Sequence, residues 1–312
     1  MFGRRVDGRA LKNVDPMVAI TSYFMPMRCD AQVFLDYKLD YEKLARYIVE
    51  QGAKGNKFTF MELLIAAYIR AVAKYPEANR FISNKRMYAR TQLTVSFAIV
   101  MEPKEGCDEI EENTVKCKFD PHDTIFDVAE KIREAIAANR KTEADNATLK
   151  LVRMLTKPLI VTPLVGLVRL LDRYGLLPRV LIDILPFHTS LFIANMASIG
   201  MPPVKHHIYN FGTTSLFFTI GAVERTVALG DQGKVVRKRN LPIGITADER
   251  ICAGAVFARV VDYMMSLLRQ PELLELPPET VKFDENHVYG IAKEQLKAEK
   301  KAKKNKKGTL AE

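Results

Sequence analysis

The sequence lacks several features that would by themselves assign a function. Its four cysteines form no Cys-x-x-Cys pair and have no metal-ligand spacing, so neither a redox motif nor a zinc site is predicted. There is no glycine-rich phosphate loop and no metal-ligand cluster. The longest apolar run, residues 158–168, has only eleven residues and is too short to span a bilayer. No apolar signal region follows the first methionine, so we expect a cytoplasmic protein.

Positive charge is concentrated at the C-terminus. Residues 293–312 contain eight lysines and three glutamates, a surplus of +5 that is half of the formal net charge of +10. The rest of the chain therefore carries only the other +5. We predict that residues 277–312 form an extension ending in a solvated lysine-rich tail, with no specific binding of nucleic acid. Peripheral contact with a membrane is the less favoured alternative.

Hydrophobic periodicity predicts an α/β domain over residues 1–276. Helical spacing of apolar residues predicts a series of amphipathic helices, and short apolar runs between them predict strands. The predicted helices are 39–51, 60–74, one that begins after the N-cap Thr124, and 251–269. The predicted strands are 93–100, 114–119, 190–196, 213–221, and 235–246 with an interruption in its middle.

Residues 149–184 differ from their surroundings. Leucine, valine and isoleucine dominate, and basic residues punctuate them. Pro158, Pro163 and Pro178 are predicted to divide the segment into short helices. Such a segment packs on its own domain, covers an apolar pocket, or lies on a membrane, and we favour packing on the domain.

One short motif carries the most information. Asp248, Glu249 and Arg250 are followed by Ala253 and Gly254. This run resembles the Asp-His-Arg-x-x-Asp-Gly motif of the dihydrolipoamide acyltransferases, and the His-x-x-x-Asp-Gly motif of the coenzyme A-dependent acyltransferases generally. Asp248, Arg250 and Gly254 match the motif, whereas Glu249 stands in the histidine position and Ala253 in the aspartate position.

Four further runs support this resemblance, in the same order along the chain. They are Arg28 with its neighbours, Lys74-Tyr75-Pro76-Glu77-Ala78-Asn79, the segment 191–200 that contains Asn195, and Pro271-Glu272-Leu273-Leu274. Together they extend over residues 17 to 276. The chain is thus identified as similar to the catalytic domains of chloramphenicol acetyltransferase and the dihydrolipoamide acyltransferases. The resemblance implies an α+β two-layer sandwich, a homotrimer with active-site channels between subunits, and coenzyme A or acyl-CoA as co-substrate.

In the family, the motif histidine is the general base, a serine hydroxyl stabilises the oxyanion, and the motif aspartate pairs with the N-terminal arginine. This chain departs from all three roles. Glu249 replaces the base, Ala194 replaces the serine, and Ala253 replaces the aspartate that Arg28 would meet. The structural frame of the motif is kept in Asp248, Arg250, Gly254, Arg28 and Asn195.

Substitute residues are available for both chemical roles. A buried glutamate can act as a base, so Glu249 is the first candidate, with a structural ion pair as the alternative. Ser190 or Thr189 could donate to an oxyanion. His188 and the pair His206-His207 are candidates for a displaced base, although a structural role is favoured for each.

Two functions follow from these residues. The first is transfer of an acyl group from coenzyme A to a small hydroxyl, amine or thiol acceptor, with the 149–184 insertion shaping the acceptor pocket. The second is a catalytically inactive trimeric relative that serves as a binding or scaffold protein. No lipoyl-type module or flexible linker precedes the domain, so swinging-arm chemistry is not expected, and neither is a metal.

Overall fold

The computed structural model describes residues 5–100, 112–141, 157–229, 234–287 and residue 289. These residues form seven α-helices and ten β-strands. The helices are α1 (Pro16–Phe24), α2 (Tyr41–Ala53), α3 (Phe60–Lys74), α4 (Ile125–Lys141), α5 (Pro158–Tyr174), α6 (Arg179–Ile184) and α7 (Gly254–Arg269). The strands are β1 (Gly8–Ala10), β2 (Gln32–Asp40), β3 (Arg80–Ser83), β4 (Arg86–Arg90), β5 (Leu93–Val100), β6 (Glu112–Phe119), β7 (Leu191–Asn195), β8 (Leu216–Ile220), β9 (Glu224–Leu229) and β10 (Val235–Asp248).

Seven strands form the main sheet. Six of them follow the order β2-β10-β8-β7-β5-β6, and β9 pairs with one end of β10. Neighbours are antiparallel except that β7 is parallel to both β5 and β8. β10 is the longest strand, with 14 residues, and pairs with β2, β8 and β9 in turn. β1, β4 and β3 form a separate small antiparallel sheet.

Four helices cover one face of the main sheet. α2, α3, α4 and α7 share a single cluster of buried hydrophobic residues with the sheet strands. α3 is central, because it packs against both α4 and α7 and is buried along most of its length. Its first turn is held by a capping box, in which Thr59 and Glu62 bond to each other's backbone N–H. A layer of helices on one sheet confirms the predicted α/β architecture.

Several predicted elements match the structure. α3 and β5 have the predicted bounds. α4 begins directly after Thr124, whose hydroxyl and backbone N–H both donate to the Asp127 carboxylate. The helix predicted at 39–51 is displaced, because Leu39 and Asp40 continue β2 and the Asp40 carboxylate caps α2.

The prediction that three prolines divide the 149–184 segment is partly wrong. Residues 149–156 lie outside the described part of the chain. Pro158 begins α5 and Pro178 directly precedes α6, both tolerated positions. Pro163, however, lies inside α5. A proline here removes the hydrogen bond to the carbonyl of Leu159, and that residue is 91% exposed, so water can replace the lost donor.

Two other boundaries were predicted incorrectly. β10 runs without interruption from Val235 to Asp248, because β9 pairs with its first half and β2 and β8 with its second. The final helix begins at Gly254 rather than at Ile251, since Glu249–Ile251 form a single 3-10 turn and the chain is extended at Cys252. The motif residues therefore lie in a turn between a strand and a helix.

Two tight turns have left-handed backbone. Asn84 and Lys85, with φ of 47° and 62°, form the two-residue loop between β3 and β4. This is the type I′ geometry, which suits asparagine and is unusual for lysine. Gly212 has φ of 86°, and a Cβ atom there would lie only 2.7 Å from the Cβ of Phe187. Only glycine fits this position without displacing its neighbour.

The chain after residue 276 returns to the body of the protein. Asp284 forms a bidentate ion pair with Arg80, and the buried Tyr289 hydroxyl accepts a hydrogen bond from the Asn79 side chain. The lysine-rich tail lies outside the described residues. Among the helices that the structure describes, none has the length and apolarity needed to cross a membrane.

Candidate functional site

The motif turn is built on a buried cluster of one carboxylate and two guanidinium groups. Asp248 ends β10 and is fully buried. Its Oδ1 accepts from Arg250 Nε at 2.8 Å, and its Oδ2 accepts from Arg250 Nη2 at 2.7 Å and from Arg28 Nε at 3.4 Å. Arg250 Nη1 also donates to the carbonyl of Met25 at 2.7 Å. The turn is thereby fixed to the segment that follows α1.

Arg28 has a different partner from the one expected. Position 253 carries alanine, and the Arg28 guanidinium instead meets Asp248, five residues earlier in the chain. Its remaining donors bond to the carbonyls of Tyr209, Gly212 and Ile82 at 2.8 to 3.2 Å. Burial, with the nearby charge of Arg250, lowers the pKa of Arg28 despite the opposing attraction of Asp248. Arg28 therefore joins four chain segments in the interior.

Glu249 is exposed between these two buried residues. Its side chain makes no hydrogen bond or ion pair with any residue that the structure describes, so the alternative of a structural ion pair finds no partner there. Asp248 and Arg250 hold the backbone on either side through their bidentate contact. The burial that would favour a glutamate base is therefore not found in the single chain, and Glu249 is a free carboxylate on an anchored turn.

The two candidate oxyanion donors are engaged in the sheet. Thr189 Oγ1 donates to the carbonyls of Thr94 at 2.9 Å and Leu191 at 3.2 Å. Ser190 Oγ accepts from the backbone N–H of Thr94 at 3.1 Å. Both residues are buried, and neither bonds to Glu249. Their hydroxyls bridge the starts of β5 and β7.

The position of Ala194 can be compared with that of Asp248 through the strand register. Ala194 pairs with Thr219, and Thr219 pairs with Gly244, four residues before Asp248. With a rise of about 3.3 Å per residue and about 4.8 Å between strands, the two positions are about 13 Å apart along the strands and about 10 Å apart across them. Within one chain, therefore, Ala194 and its neighbour Asn195 lie far from the motif turn.

His188 belongs to a second buried cluster. Its Nε2 lies 2.9 Å from Asp172 Oδ1, which also accepts from Arg5 Nη2 at 2.7 Å. Burial alone would raise the pKa of Asp172, but the hydrogen bond and charge of His188 and the charge of Arg5 outweigh it and lower this pKa to about 2. Arg5 also pairs with Asp7. His188 thus ties α5 and the N-terminal segment to the start of β7, and sequence reasoning identified neither Arg5 nor Asp172.

The other histidine candidates lie elsewhere. His206 stacks on the Phe217 ring with centroids 4.0 Å apart and planes within 5°. His207 is exposed next to it. Within the described ranges, no group of three His, Cys, Asp or Glu residues is placed to hold a metal ion.

A cleft of about 600 Å³ opens beside the motif turn. α5, the β3–β4 turn, the segment after α1 and the segment before β8 form its walls. Gly166, Leu170 and Arg173 lie on one face of α5, as their spacing of three or four residues could have indicated. The 149–184 insertion therefore contributes one wall of a cleft whose opposite wall includes Arg250.

Comparison with known proteins identifies the fold. No protein family model matches the sequence, and no curated protein matches it. Among solved structures, a probable dihydrolipoamide acetyltransferase from Listeria monocytogenes is 13% identical, with 83% of this chain and 94% of that chain covered and a TM-score of 0.50. The cubic core of a pyruvate dehydrogenase multienzyme complex is 14% identical, with 85% and 94% covered and a TM-score of 0.50.

A truncated catalytic core of the 2-oxoacid dehydrogenase multienzyme complex from Thermoplasma acidophilum is similar to the same extent. It is 13% identical, with 84% of this chain and 98% of that chain covered and a TM-score of 0.50. Identities this low establish similarity of fold alone. The predicted acyltransferase-type fold is confirmed, whereas the chemistry depends on the particular residues of this chain.

Proposed function

We propose that this protein is an acyltransferase that moves an acyl group from coenzyme A to a small acceptor, with Glu249 as general base. The observation that carries the proposal is the exposed, unpaired Glu249 carboxylate between the buried and mutually bonded Asp248 and Arg250. A base has to be accessible to substrate, and the exposed Glu249 carboxylate meets this requirement. The contacts of Asp248 and Arg250 fix the turn that carries it, although no contact fixes the Glu249 side chain itself within the described residues. The acyltransferase-type fold supports the same assignment.

The reaction would proceed through one tetrahedral intermediate. Glu249 takes the proton from the acceptor hydroxyl, amine or thiol as that group attacks the thioester carbonyl. When the intermediate collapses, the acyl–sulfur bond breaks, the acyl group stays on the acceptor, and the proton passes from Glu249 to the coenzyme A thiolate. Glutamate has a reference pKa about two units below that of histidine, which costs roughly 3 kcal/mol in driving force.

Oxyanion stabilisation is the part of this mechanism for which the chain offers the fewest suitable groups. Ala194 offers no hydroxyl, and the hydroxyls of Ser190 and Thr189 already bond within the sheet. Loss of one oxyanion donor costs about 10²–10³ in rate. We therefore expect slow turnover compared with an enzyme that has the complete set of residues.

A homotrimer, which the family resemblance implies, fits this arrangement. The motif turn and the Ala194–Asn195 end of β7 lie far apart within one chain, so only a second copy could bring the two together. α1 also exposes large apolar side chains, with Met17 76% and Phe24 78% exposed. Exposed apolar surface of this kind is typical of an interface.

The second candidate is a binding or scaffold protein without catalytic activity. It is favoured by the engaged hydroxyls of Ser190 and Thr189 and by the role of Asp248. In this chain Asp248 serves as the shared partner of Arg28 and Arg250, which is sufficient reason to keep the motif frame for folding alone. Binding of an acyl-CoA without turnover would characterise such a protein.

Calorimetry of the full chain with coenzyme A and an acyl-CoA length series tests both candidates, together with thiol release in the presence of an acceptor panel. The proposal expects binding that strengthens with acyl length, and thiol release that Glu249→Gln abolishes. Glu279→Gln, a matched change at another exposed glutamate, should have no effect. Binding without thiol release would favour the binding protein, and no binding across the series would overturn the transferase.

A further inference from the structure

The cleft beside the motif turn has an unbalanced charge. Its floor is engaged in internal ion pairs: Arg28 and Arg250 share Asp248, which leaves one positive charge between them, and Asp172 pairs with Arg5 and His188. The donors of Arg28 are already committed to Asp248 and to backbone carbonyls. These residues close the bottom of the cleft and leave little capacity to bind a ligand.

The rim has three further cations: Lys85, Arg169 and Arg173. All three are exposed, and none forms an ion pair with a described carboxylate. Arg173 Nε donates to the neutral Asn84 side chain at 3.2 Å, and Lys85 Nζ lies 5.1 Å from the centre of the Tyr23 ring. These three positive charges have no ion-pair partner among the described residues. The one carboxylate in the lining, Asp172, is engaged by Arg5 and His188, so the rim attracts an anion.

The hairpin turn between β3 and β4 fixes the position of Lys85 in the cleft lining. The φ of 62° at Lys85 lies in the left-handed region, which residues with a Cβ atom seldom adopt. The type I′ turn places Lys85 and Asn84 together at the lip of the cleft, opposite α5. Two arginines four residues apart on α5 face this lip, and guanidinium groups bind carboxylate or phosphate oxygens in a bidentate manner.

The remaining lining is apolar. Met27, Ile82, Leu170 and Phe211 contribute to the walls. Met27 is 50% exposed and Leu170 53% exposed, so both present hydrophobic surface to an occupant. Gly166 adds open space, since a Cβ atom there would meet nothing within 4 Å. A volume of about 600 Å³ is within the range of small-molecule sites.

We propose that this cleft binds an amphiphilic anion, which has a carboxylate or phosphate monoester head and an apolar body. The head bonds to Arg169, Arg173 and Lys85 at the rim, and the apolar body lies between Met27 and Leu170. The same chemistry occurs in soluble acyl carboxylates or phosphates and in lipid headgroups. Binding here does not depend on acyl transfer at Glu249, which is absent from the lining.

Calorimetry with the full chain tests the ligand chemistry. Octyl phosphate and octanoate should bind, octyl glucoside should not, and inorganic phosphate should bind at least tenfold more weakly than octyl phosphate. Equal binding of octyl glucoside, or no binding of either anion, would overturn the proposal. Flotation with phosphatidylcholine vesicles that contain phosphatidic acid separates the two sources. Co-flotation of the full chain that Arg169→Gln with Arg173→Gln abolishes assigns a lipid headgroup in the cleft, because the lysine-rich tail is the same in both proteins. Co-flotation that is absent, or that the two substitutions leave unchanged, assigns a soluble ligand when octyl phosphate binds.

Variants locate the site. Arg169→Gln combined with Arg173→Gln should weaken octyl phosphate binding at least tenfold, whereas Arg179→Gln, on α6 and outside the lining, should leave it unchanged. Gly166→Leu fills the cleft and should abolish binding. Its control is Gly52→Leu on α2, where a Cβ atom also meets nothing within 4 Å.

Unchanged affinity in both cleft variants, with the same far-UV circular dichroism and melting temperature as the parent, would overturn the assignment. Because acyl-CoA also carries a phosphate monoester and an apolar chain, the separating control is Glu249→Gln, which lies outside the lining and should bind octyl phosphate as the parent does. Loss of octyl phosphate binding in the cleft variants, with binding retained in Glu249→Gln, therefore concerns the cleft and is independent of the acyl-transfer proposal.

Discussion

Substitution of Asp172 by asparagine tests how much the buried cluster of Arg5, Asp172 and His188 contributes to the free energy of unfolding. The change keeps the shape of the side chain and removes the charge that Arg5 and His188 share. Asparagine resembles the protonated aspartic acid in shape and charge, so the lowering of the Asp172 pKa from 3.8 to about 2 sets the order of magnitude of the cost. At 1.36 kcal/mol per pKa unit, this is about 2 kcal/mol of unfolding free energy.

The expected loss is below the 3–5 kcal/mol typical of a broken buried ion pair, because Arg5 keeps its contact with Asp7 at 2.8 Å. Urea unfolding at neutral pH, followed by far-UV circular dichroism, measures it; the chain has no tryptophan to report by fluorescence. The denaturation midpoint should fall while the dependence on urea stays the same.

Asp183→Asn is the matched control. Asp183 lies on α6, is 29% exposed at its side chain, and pairs with Lys118 at 3.2 Å and Arg179 at 3.6 Å. Such an exposed pair contributes about 0–1 kcal/mol. If Asp172→Asn cost no more than Asp183→Asn, the reasoning that the buried cluster holds α5 to the N-terminal segment would be refuted.

Three further predictions concern other parts of the molecule. Gly212→Ala should lower the unfolding free energy by about 2–4 kcal/mol, because the alanine would have a strained left-handed backbone and a Cβ atom that clashes with the backbone of Phe187. Gly200→Ala should cost about 1 kcal/mol, because Gly200 has a φ of 72° but open space around it. Equal losses for the two variants in thermal unfolding would contradict this. The contribution of Asp172 to the unfolding free energy should be complete above about pH 4 and disappear as the pH falls through about 2, because folding lowers the pKa of Asp172. The difference in unfolding free energy between the parent and Asp172→Asn should therefore fall to zero over that pH range. Burial raises the pKa of Cys252 to about 12, so iodoacetamide at pH 8 should label the exposed Cys29 and reach Cys252 only after unfolding, as peptide mass spectrometry would report.

Local sequence signals were sufficient for much of the fold. α3 was predicted correctly because its apolar stripe ends at a proline, and α4 because Thr124 and Asp127 form a recognisable cap. Periodicity could not show that Pro163 is tolerated inside α5, nor that β10 continues through the stretch where its partner strand changes. Both outcomes depend on solvent access and strand pairing, which are not local properties.

Within the candidate site, the sequence indicated the structural residues of the motif but not their contacts. Asp248, Arg250 and Arg28 were expected to form the structural part of the motif, and they form one ion cluster. The family resemblance placed Arg28 beside the motif, but its pairing with Asp248 was not foreseen, because the partner position of the family, 253, carries alanine here. His188 was considered as a base, and its burial against Asp172 became apparent only from the packing of α5. Glu249 as base stays a prediction.

The pairing of β2 with β10 has a consequence for synthesis of the chain. Asp40 pairs with Asn240, and among the described strands of the main sheet β10 is the one neighbour of β2. At about 5–20 residues per second, a ribosome needs roughly 10–40 s to make the intervening segment. During that time the N-terminal strand has an open edge, which is a template for pairing with other chains. A nascent chain that ends before residue 240 therefore lacks the described partner of β2, and both edges of this strand are open to pairing with other chains.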